Sequence, residues 1–255
     1  MNIERRNLAN TSVNRGHTLK VLALLICLGA MPLFRSVGGQ PAPSRPEVRF
    51  FKDSTLPQAV VLSFNGKSTF SPDGKEFKML KVGDVLNQGA VIRTEHDGRV
   101  DLFFRRMAIT VRVTSDTELG LEKMTKSWKG DVPLVQTILD LRRGGIFCFV
   151  RGLVPDSKFE VKHKIGRSVV EGEGSGGFEI RADSAAVSER FYFVPLKMIS
   201  EQGTAVIAPG QKFDAKMGKV TRLAASEAEV TLLQLDELQA LNDLLTPQEE
   251  LPPKK

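Results

Sequence analysis

From about residue 59 onward, short runs in which apolar and polar residues alternate recur along the chain, and each run ends in a turn signal. One run contains Val60, Leu62 and Phe64, and the Asn65-Gly66 pair that follows is typical of a two-residue β-hairpin. A period of two places successive side chains on opposite faces of a strand. The pattern therefore predicts a mainly β fold of short strands, either a small sandwich or a solenoid.

Turns that contain glycine separate the predicted strands. They include Gly83 with Asp84, Gly98, and the Gly144-Gly145 pair. Glycine adopts positive φ at little steric cost, whereas residues with a Cβ rarely do. We therefore expect all five to be structural turn residues, and Gly83, Gly98 and Gly144 to support turns at positive φ and to contact no ligand.

The first 40 residues differ from the rest in charge and hydropathy. Residues 21–34 form an uncharged apolar stretch of 14 residues, which is shorter than the roughly 20 that a helix needs to cross a bilayer. Its length fits the apolar part of a signal peptide. We expect residues 1–40 to be a signal peptide or a short inner-membrane anchor, followed by a linker, in a protein exported to the periplasm or cell envelope. The flanking basic residues are Arg5, Arg6, Arg15, Lys20 and Arg35.

The positive charge of the chain lies mostly in this leader. The whole chain has 36 basic and 30 acidic side chains, and residues 1–40 hold five of the basic and one of the acidic ones. The remainder therefore has 31 against 29, a net charge of +2. Nucleic-acid binding requires a basic stripe on a folded face, so we do not expect a nucleic-acid partner.

The last segment changes its period from that of a strand to that of a helix. Ser226 and Glu229 have the spacing of a capping box, and Pro247 is a stop signal because it disfavours the helical conformation in the preceding residue. We predict an amphipathic helix over residues 225–246 and a disordered tail over residues 247–255. The apolar stripe of this helix consists of Val230, Leu233, Leu238, Leu241, Leu244 and Leu245.

Two roles are open to this apolar stripe. It can dock on the β core, which is the favoured role because intramolecular docking avoids the cost of association. Alternatively, Leu238, Leu241 and Leu245 can contact a partner protein.

No pattern in the sequence indicates catalytic, cofactor-binding or metal-binding residues. Residues 172–177 have the Gly-x-Gly-x-x-Gly spacing of a dinucleotide site, but a strand-like run follows them where that motif requires a helix. His163 is interpreted as a packed rim residue and Cys148 as a buried thiol that behaves as a small hydrophobe. Trp128, the only tryptophan, falls in a predicted polar loop over residues 123–132. We expect it to pack there; the alternative is an exposed side chain that anchors a ligand.

Between residues 60 and 183, several short motifs follow one another in an order that resembles the FecR-domain family, the periplasmic module of bacterial iron-dicitrate-type regulators. Val82-Gly83-Asp84-Val85-Leu86 resembles the family's Gly-Asp-x-Leu element, and Phe159-Glu160-Val161 resembles its Phe-x-Val element. Further segments of this kind are residues 91–94, 97–102, 109–119 and 139–146.

The resemblance implies a domain organisation and a function. It implies a FecR-like β domain over residues 47–183, with additional β hairpins over residues 184–224. The regulators of this family have a cytoplasmic anti-sigma domain before the membrane segment, and about 20 residues are too few for such a domain here. We therefore expect a non-catalytic exported FecR-domain protein that binds an envelope protein or a surface glycan. A membrane-anchored relay in envelope signalling and an envelope enzyme acting on glycans are the alternatives.

Overall fold

The computed structural model of the chain describes residues 57–105, 107–187 and 196–246. These residues form two nine-stranded sheets and one helix of 21 residues. The predicted mainly β fold with a C-terminal helix is confirmed. The predicted leader, the linker, the tail after residue 246 and residues 188–195 of the predicted additional hairpins lie outside the described residues.

The strands are short, apart from two of 12 residues each, and the helix follows them all. In chain order the elements are β1 (Gln58–Asn65), β2 (Ser68–Ser71), β3 (Lys78–Met79), β4 (Val85–Leu86), β5 (Val91–Thr94), β6 (Arg99–Arg105), β7 (Ile109–Val113), β8 (Glu118–Lys129), β9 (Val132–Arg143), β10 (Gly145–Leu153), β11 (Lys158–His163), β12 (Gly166–Glu171), β13 (Gly174–Arg181), β14 (Ser184–Val187), β15 (Leu196–Ser200), β16 (Gly203–Ile207), β17 (Gln211–Asp214), β18 (Lys219–Arg222) and α1 (Ala225–Leu245).

The chain alternates between the two sheets as it advances. The first sheet has the order β18-β17-β14-β13-β10-β7-β6-β1-β4, and the second has the order β16-β15-β12-β11-β9-β8-β5-β2-β3. Apart from β4 and β3 at one edge, the strand numbers rise across both sheets in the same direction. The protein thus combines the two predicted alternatives, because its sheets form a sandwich while the chain winds progressively along them. The segment after residue 183 extends the same two sheets.

One apolar core fills the space between the sheets. Phe159 of the second sheet meets Phe178 of the first with ring centroids 5.6 Å apart and planes at 63°, an edge-to-face arrangement that aromatic rings favour. Cys148 lies fully buried in this core, as predicted, and burial raises the pKa of its thiol well above the ordinary value. A thiol in such surroundings stays protonated and inert.

The predicted hairpin at Asn65-Gly66 is wrong. β1 belongs to the first sheet and β2 to the second, so this turn carries the chain from one sheet to the other. Gly66 has a φ of +61°, and a Cβ there would lie 2.2 Å from the carbonyl oxygen of Asp97. The local turn signal was correct, but it does not determine which strand β1 pairs with.

The predicted polar loop over residues 123–132 is also wrong. Those residues belong to a long hairpin of β8 and β9, which turns at Gly130 and Asp131. The residues on β8 beyond Met124 are mostly polar or charged, so they show no apolar alternation. Cross-strand pairing with β9 supplies the regularity that the single strand lacks.

The helix α1 begins two residues before the predicted capping box. Ala224 is the N-cap residue, and its N–H donates to Oε2 of Glu227 at 3.1 Å. Glu227 therefore occupies the position that the sequence pattern assigned to Glu229. The helix ends at Leu245, where Thr246 adopts an extended conformation, as the proline signal predicted.

One side of α1 packs on the outer face of the first sheet. Leu235 and Leu238 are fully buried against Phe147 and Phe149 of β10. Gly177 of β13 permits this approach, because a Cβ there would lie 2.9 Å from a methyl carbon of Leu235. The predicted docking of the helix on the β domain is confirmed.

Two leucines of α1 provide a matched test of this docking. Leu238 is fully buried, whereas Leu233 is 59% exposed, and both sit inside the same helix, so helix propensity changes equally in both variants. We expect Leu238→Ala to lower the free energy of unfolding by about 2–5 kcal/mol. We expect Leu233→Ala to change it by less than about 0.5 kcal/mol. Urea denaturation followed by circular dichroism measures both, and equal losses would contradict the assigned helix orientation.

Candidate functional site

The outer face of the first sheet presents two rows of side chains beneath α1. Each row crosses β6, β7, β10 and β13 at directly paired positions. One row is mostly charged and the other mostly apolar. The charged row is Asp101, Arg112, Phe147 and Glu179, and the apolar row is Phe103, Thr110, Phe149 and Gly177.

Arg112 and Asp101 form a buried ion pair at the centre of this face. Nε and Nη2 of Arg112 donate to the two carboxylate oxygens of Asp101 at 2.7 and 2.9 Å. Nη1 of Arg112 donates to Oε1 of Gln234 at 2.8 Å and to Oε2 of Glu237 at 2.5 Å, both on α1. Burial alone would lower the pKa of the guanidinium, but its bonds to Asp101 and Glu237 raise it above the ordinary value. The helix thus supplies hydrogen-bond acceptors to the buried guanidinium of Arg112.

Further polar contacts fix α1 along most of its length. They join the helix to β7, β10, β13 and β17, so both its ends are attached to the sheet. The pairs are Lys212 with Glu227 at 2.6 Å, Thr231 with Glu179 at 3.1 Å, Thr110 with the carbonyl of Leu238 at 3.1 Å, and Arg151 with Asp243 at 2.6 Å.

The opposite side of α1 exposes an apolar row. Val230, Leu233 and Leu244 are 58%, 59% and 69% exposed. The residues predicted to contact a partner lie elsewhere: Leu238 is fully buried, and Leu241 packs at the margin of the buried cluster. Leu245 is half-buried. Leu238 is therefore a core residue and cannot contact a partner in the folded chain. We define the outer row as Val230, Leu233 and Leu244.

The helix is rotated relative to the predicted stripe because the sheet beneath it is partly polar. The buried side of α1 consists of Thr231, Leu235, Leu238 and Asn242. Two of these four residues are polar, and Thr231 meets the charged row of the sheet. The positions of apolar residues along the helix could not identify its buried side. Which side is buried depends on Arg112 and Asp101, which lie more than a hundred residues earlier in the chain.

A second exposed surface lies at the tip of the β8–β9 hairpin. Trp128, predicted to pack in a loop, is 65% exposed and pairs across the hairpin with Pro133. Nζ of Lys126 lies 5.5 Å from the centroid of the indole. Val132, next to the turn, is exposed as well. We define the hairpin tip as Lys126, Trp128, Val132 and Pro133.

The predicted turn residues near β4 hold it against β1. Gly83 has a φ of +87°, and its N–H donates to the carbonyl of Val61 at 2.8 Å. Oδ2 of Asp84 accepts from the N–H of Lys81 at 2.8 Å, which closes the turn. Both residues have the structural position that the sequence predicted.

Gly98 differs from the expectation, because its φ lies outside the left-handed region. Glycine is required there by close approach: a Cβ would lie 2.8 Å from the carbonyl oxygen of Lys67 and 2.8 Å from the Cβ of Thr94. The expected positive φ is therefore wrong for this residue, although its N–H does close a turn by donating to the carbonyl of Glu95 at 2.8 Å.

Gly144 and Gly145 pack against a group of buried threonines. Gly144 has a φ of +79°, and a Cβ there would lie 2.2 Å from Oγ1 of Thr117. Gly145 has no positive φ, and it begins β10 instead. Its N–H donates to Oγ1 of Thr117 at 3.0 Å, and its carbonyl accepts from Oγ1 of Thr114 at 2.8 Å.

His163 is buried at the end of β11. Its Nε2 lies 3.0 Å from Oγ of Ser168, and among the described residues its Nδ1 has no hydrogen-bond partner. Burial lowers the pKa of this imidazole from 6.5 to about 4. A cavity of about 450 Å³ adjoins the ring and is also lined by Lys164, Glu201 and Phe213. The predicted rim position of His163 agrees with this placement.

A larger cavity of about 560 Å³ lies between the first turns of α1 and the strands β13, β14 and β17. Charges of both signs line it, and Lys212 and Glu227 on its wall bind each other. Within the described residues, no group of three or more His, Cys, Asp or Glu side chains is placed to hold a metal ion.

Comparisons with known proteins do not identify a family. No protein-family model, curated protein or solved structure matches the chain. The resemblance to the FecR-domain family therefore stays a prediction. In the part of the chain that the structure describes, no helix has both the length and the apolar character needed to cross a membrane.

Gly144 and Gly218 separate backbone strain from steric overlap. Both have positive φ, but a Cβ at Gly218 would meet nothing within 4 Å, whereas one at Gly144 would overlap Thr117. We expect Gly218→Ala to cost about 1 kcal/mol of unfolding free energy, from strain alone. Gly144→Ala should cost clearly more, because Thr117 must also move. Thermal and urea denaturation measure the loss of stability in both variants. Equal losses would contradict the predicted effect of the overlap with Thr117.

The buried His163 predicts a loss of stability in acid. The unfolded chain binds a proton on this residue below its ordinary pKa of 6.5, whereas the folded chain binds it only near pH 4. The stabilisation is therefore complete above pH 6.5 and is lost as the pH falls toward 4. The shift corresponds to roughly 3 kcal/mol. Urea denaturation across this window should show that loss diminished in His163→Gln.

His96→Gln is the matched control, because His96 is exposed in a turn. The control should keep the pH dependence of the parent chain. If His163→Gln also keeps it, another group causes the loss.

Proposed function

We propose that this chain is a non-catalytic, exported protein of the bacterial cell envelope that binds a protein partner through the outer row of α1. The leader pattern of residues 1–40 and the resemblance to the FecR-domain family support the envelope location. The carrying observation is that α1, fixed to the sheet by its inner side, exposes Val230, Leu233 and Leu244 to solvent.

The spacing of the outer row suits recognition of another helix or of an apolar groove. Val230, Leu233, Glu237, Ala240 and Leu244 follow one another at intervals of three and four residues. This is the spacing of the seam along which helices pack in coiled coils and in groove complexes. Because α1 is already ordered by the sheet, a partner would not have to order it, which reduces the cost of association.

The charge of α1 indicates the chemistry of the partner. Ala225–Leu245 contains five acidic side chains and no Lys or Arg. Three of these acids bind cations of the sheet yet remain about half exposed, namely Glu227, Glu237 and Asp243. A second copy of α1 would oppose like charges, so we propose an apolar ridge flanked by basic residues as the partner surface. Apolar side chains of this size favour a protein over a glycan.

Site-specific photo-crosslinking in the bacterial envelope tests this proposal. A photoreactive residue replaces Leu233 or Leu244 in the full chain, and a third variant carries it at Met217, which is exposed in the turn between β17 and β18. We expect one shared adduct from positions 233 and 244 that is absent from position 217. The partner, once identified by mass spectrometry, should bind the purified parent chain and lose affinity for Leu233→Asp.

The pattern of adducts distinguishes the outcomes. An adduct of the chain with itself from positions 233 and 244 would replace the proposed partner by a second copy. Equal adducts from all three positions, or none from 233 and 244, would contradict the outer row as the binding surface.

A further inference from the structure

The distal half of the β8–β9 hairpin extends beyond the strands that flank it. Pairing of β5 with β8 stops at Gly120, and pairing of β11 with β9 begins at Gln136. The neighbouring chain contacts the hairpin as far as Met124, whose N–H donates to Oε1 of Gln88, and Val135, whose N–H donates to Oγ of Ser157. Trp128 lies four residues beyond Met124, or about 13 Å along an extended strand. The tip therefore protrudes from one end of the sandwich.

In the protruding part of the hairpin, one face continues the inner face of the second sheet, but the first sheet does not cover it there. Met124, Lys126 and Trp128 are spaced by two and share one face of β8. Met124 is buried in the core, whereas Trp128 is 65% exposed. On β9, Val135 is likewise buried and Pro133 only partly so. An aromatic side chain thus stands where the core face of the sheet emerges into solvent.

The chain enters the fold at this same end. Gln58, the first residue of β1, pairs with Arg105, and the turn that follows Arg105 contains Met107. Sδ of Met107 accepts from Oγ1 of Thr137 on β9 at 3.2 Å. The side chain of Gln58 also donates to Asn87, whose neighbour Gln88 accepts from the N–H of Met124. The start of β1 therefore lies beside the base of the hairpin.

We propose that the hairpin tip inserts into the headgroup layer of an anionic phospholipid membrane. This inference rests on the envelope location in the proposed function. Tryptophan is enriched at membrane–water interfaces, where its ring meets the acyl boundary and its N–H meets water.

The charges near the tip suit an anionic lipid surface. Lys123, Lys126 and Lys129 lie in the seven residues that lead to the turn, and that stretch has no acidic residue. Nearby acids reduce this charge, since Lys129 binds Asp156 at 2.7 Å and Asp131 occupies the turn itself. Basic residues close to an anionic membrane each strengthen attachment by about fivefold.

The size of the tip favours a membrane over a protein partner. A stable protein interface buries about 800 Å² on each side, whereas the apolar part of the tip consists of Trp128, Val132 and Pro133. Shallow insertion of one aromatic and one aliphatic side chain requires no complementary surface. It would hold the sandwich on the membrane with the hairpin tip directed into the headgroup layer.

Trp128 is the only tryptophan in the chain, so its fluorescence reports on the tip alone. The full 255-residue chain is reconstituted with vesicles of phosphatidylglycerol and phosphatidylcholine whose lipids carry bromine atoms close to the headgroups. We expect Trp128 emission to shift to shorter wavelength, to be quenched by the brominated lipids and to be protected from aqueous iodide. Val132→Asp should weaken all three effects while leaving Trp128 in place.

A relocated tryptophan is the matched control. Trp128→Phe combined with Phe64→Trp moves the probe to β1 next to the Asn65-Gly66 turn, at the opposite end of the sandwich. That variant should show no lipid quenching and no loss of access to iodide when vesicles are added. Flotation confirms that each variant is bound to the vesicles.

Three results would overturn the proposal. They are equal lipid quenching of the two probes, no quenching of Trp128 in chains that float with the vesicles, and failure of the chain to float. Unprotected Trp128 in floating chains would instead assign the tip to a soluble partner. None of these results affects crosslinking from the outer row of α1, so failure of this inference is distinct from failure of the proposed function.

Discussion

The buried ion pair of Arg112 and Asp101 determines how α1 sits on the sheet. Removing a guanidinium and a carboxylate from water is costly, and the cost is recovered only if the remaining donors find partners. Asp101 accepts from Nε and Nη2 of Arg112, and Gln234 and Glu237 of α1 accept from Nη1. The rotation of the helix is thus coupled to a charge within the sheet. The same rotation leaves the outer row, Val230, Leu233 and Leu244, facing solvent.

The β architecture could be predicted because it depends on a local period. The alternation of apolar residues is visible within most strands, although not in the distal half of β8, and the glycine turns limit strand length. Gly83 and Gly144 were identified for the right reason, since a positive φ is a property of one residue. Gly98 was not, because its requirement comes from Lys67 and Thr94, which approach it from elsewhere in the fold.

The two surfaces that carry the proposals were not predictable in the same way. Burial of Leu238 rather than Val230 depends on the polar row of a sheet folded from distant segments. Exposure of Trp128 depends on β5 and β11, which end before the hairpin does. The hairpin tip is exposed because the hairpin of β8 and β9 is longer than the strands beside it. The outer row is exposed because the opposite side of α1 faces the sheet. Neither relation can be read from the apolar periodicity of a single element. Sequence periodicity located the elements, but contacts between distant strands decided which side chains are exposed.

The strand order also has a consequence for biosynthesis. Strand numbers rise across both sheets, so an emerging chain can add each new strand to those already folded, as repeat proteins do. The helix α1 breaks this progression, because it follows every strand in sequence but returns to β7, β10 and β13 in the middle of the first sheet. Phe147, Phe149 and the Arg112 pair therefore stay uncovered until the final segment has been made. During that interval the nascent protein exposes an apolar patch of the kind that chaperones bind.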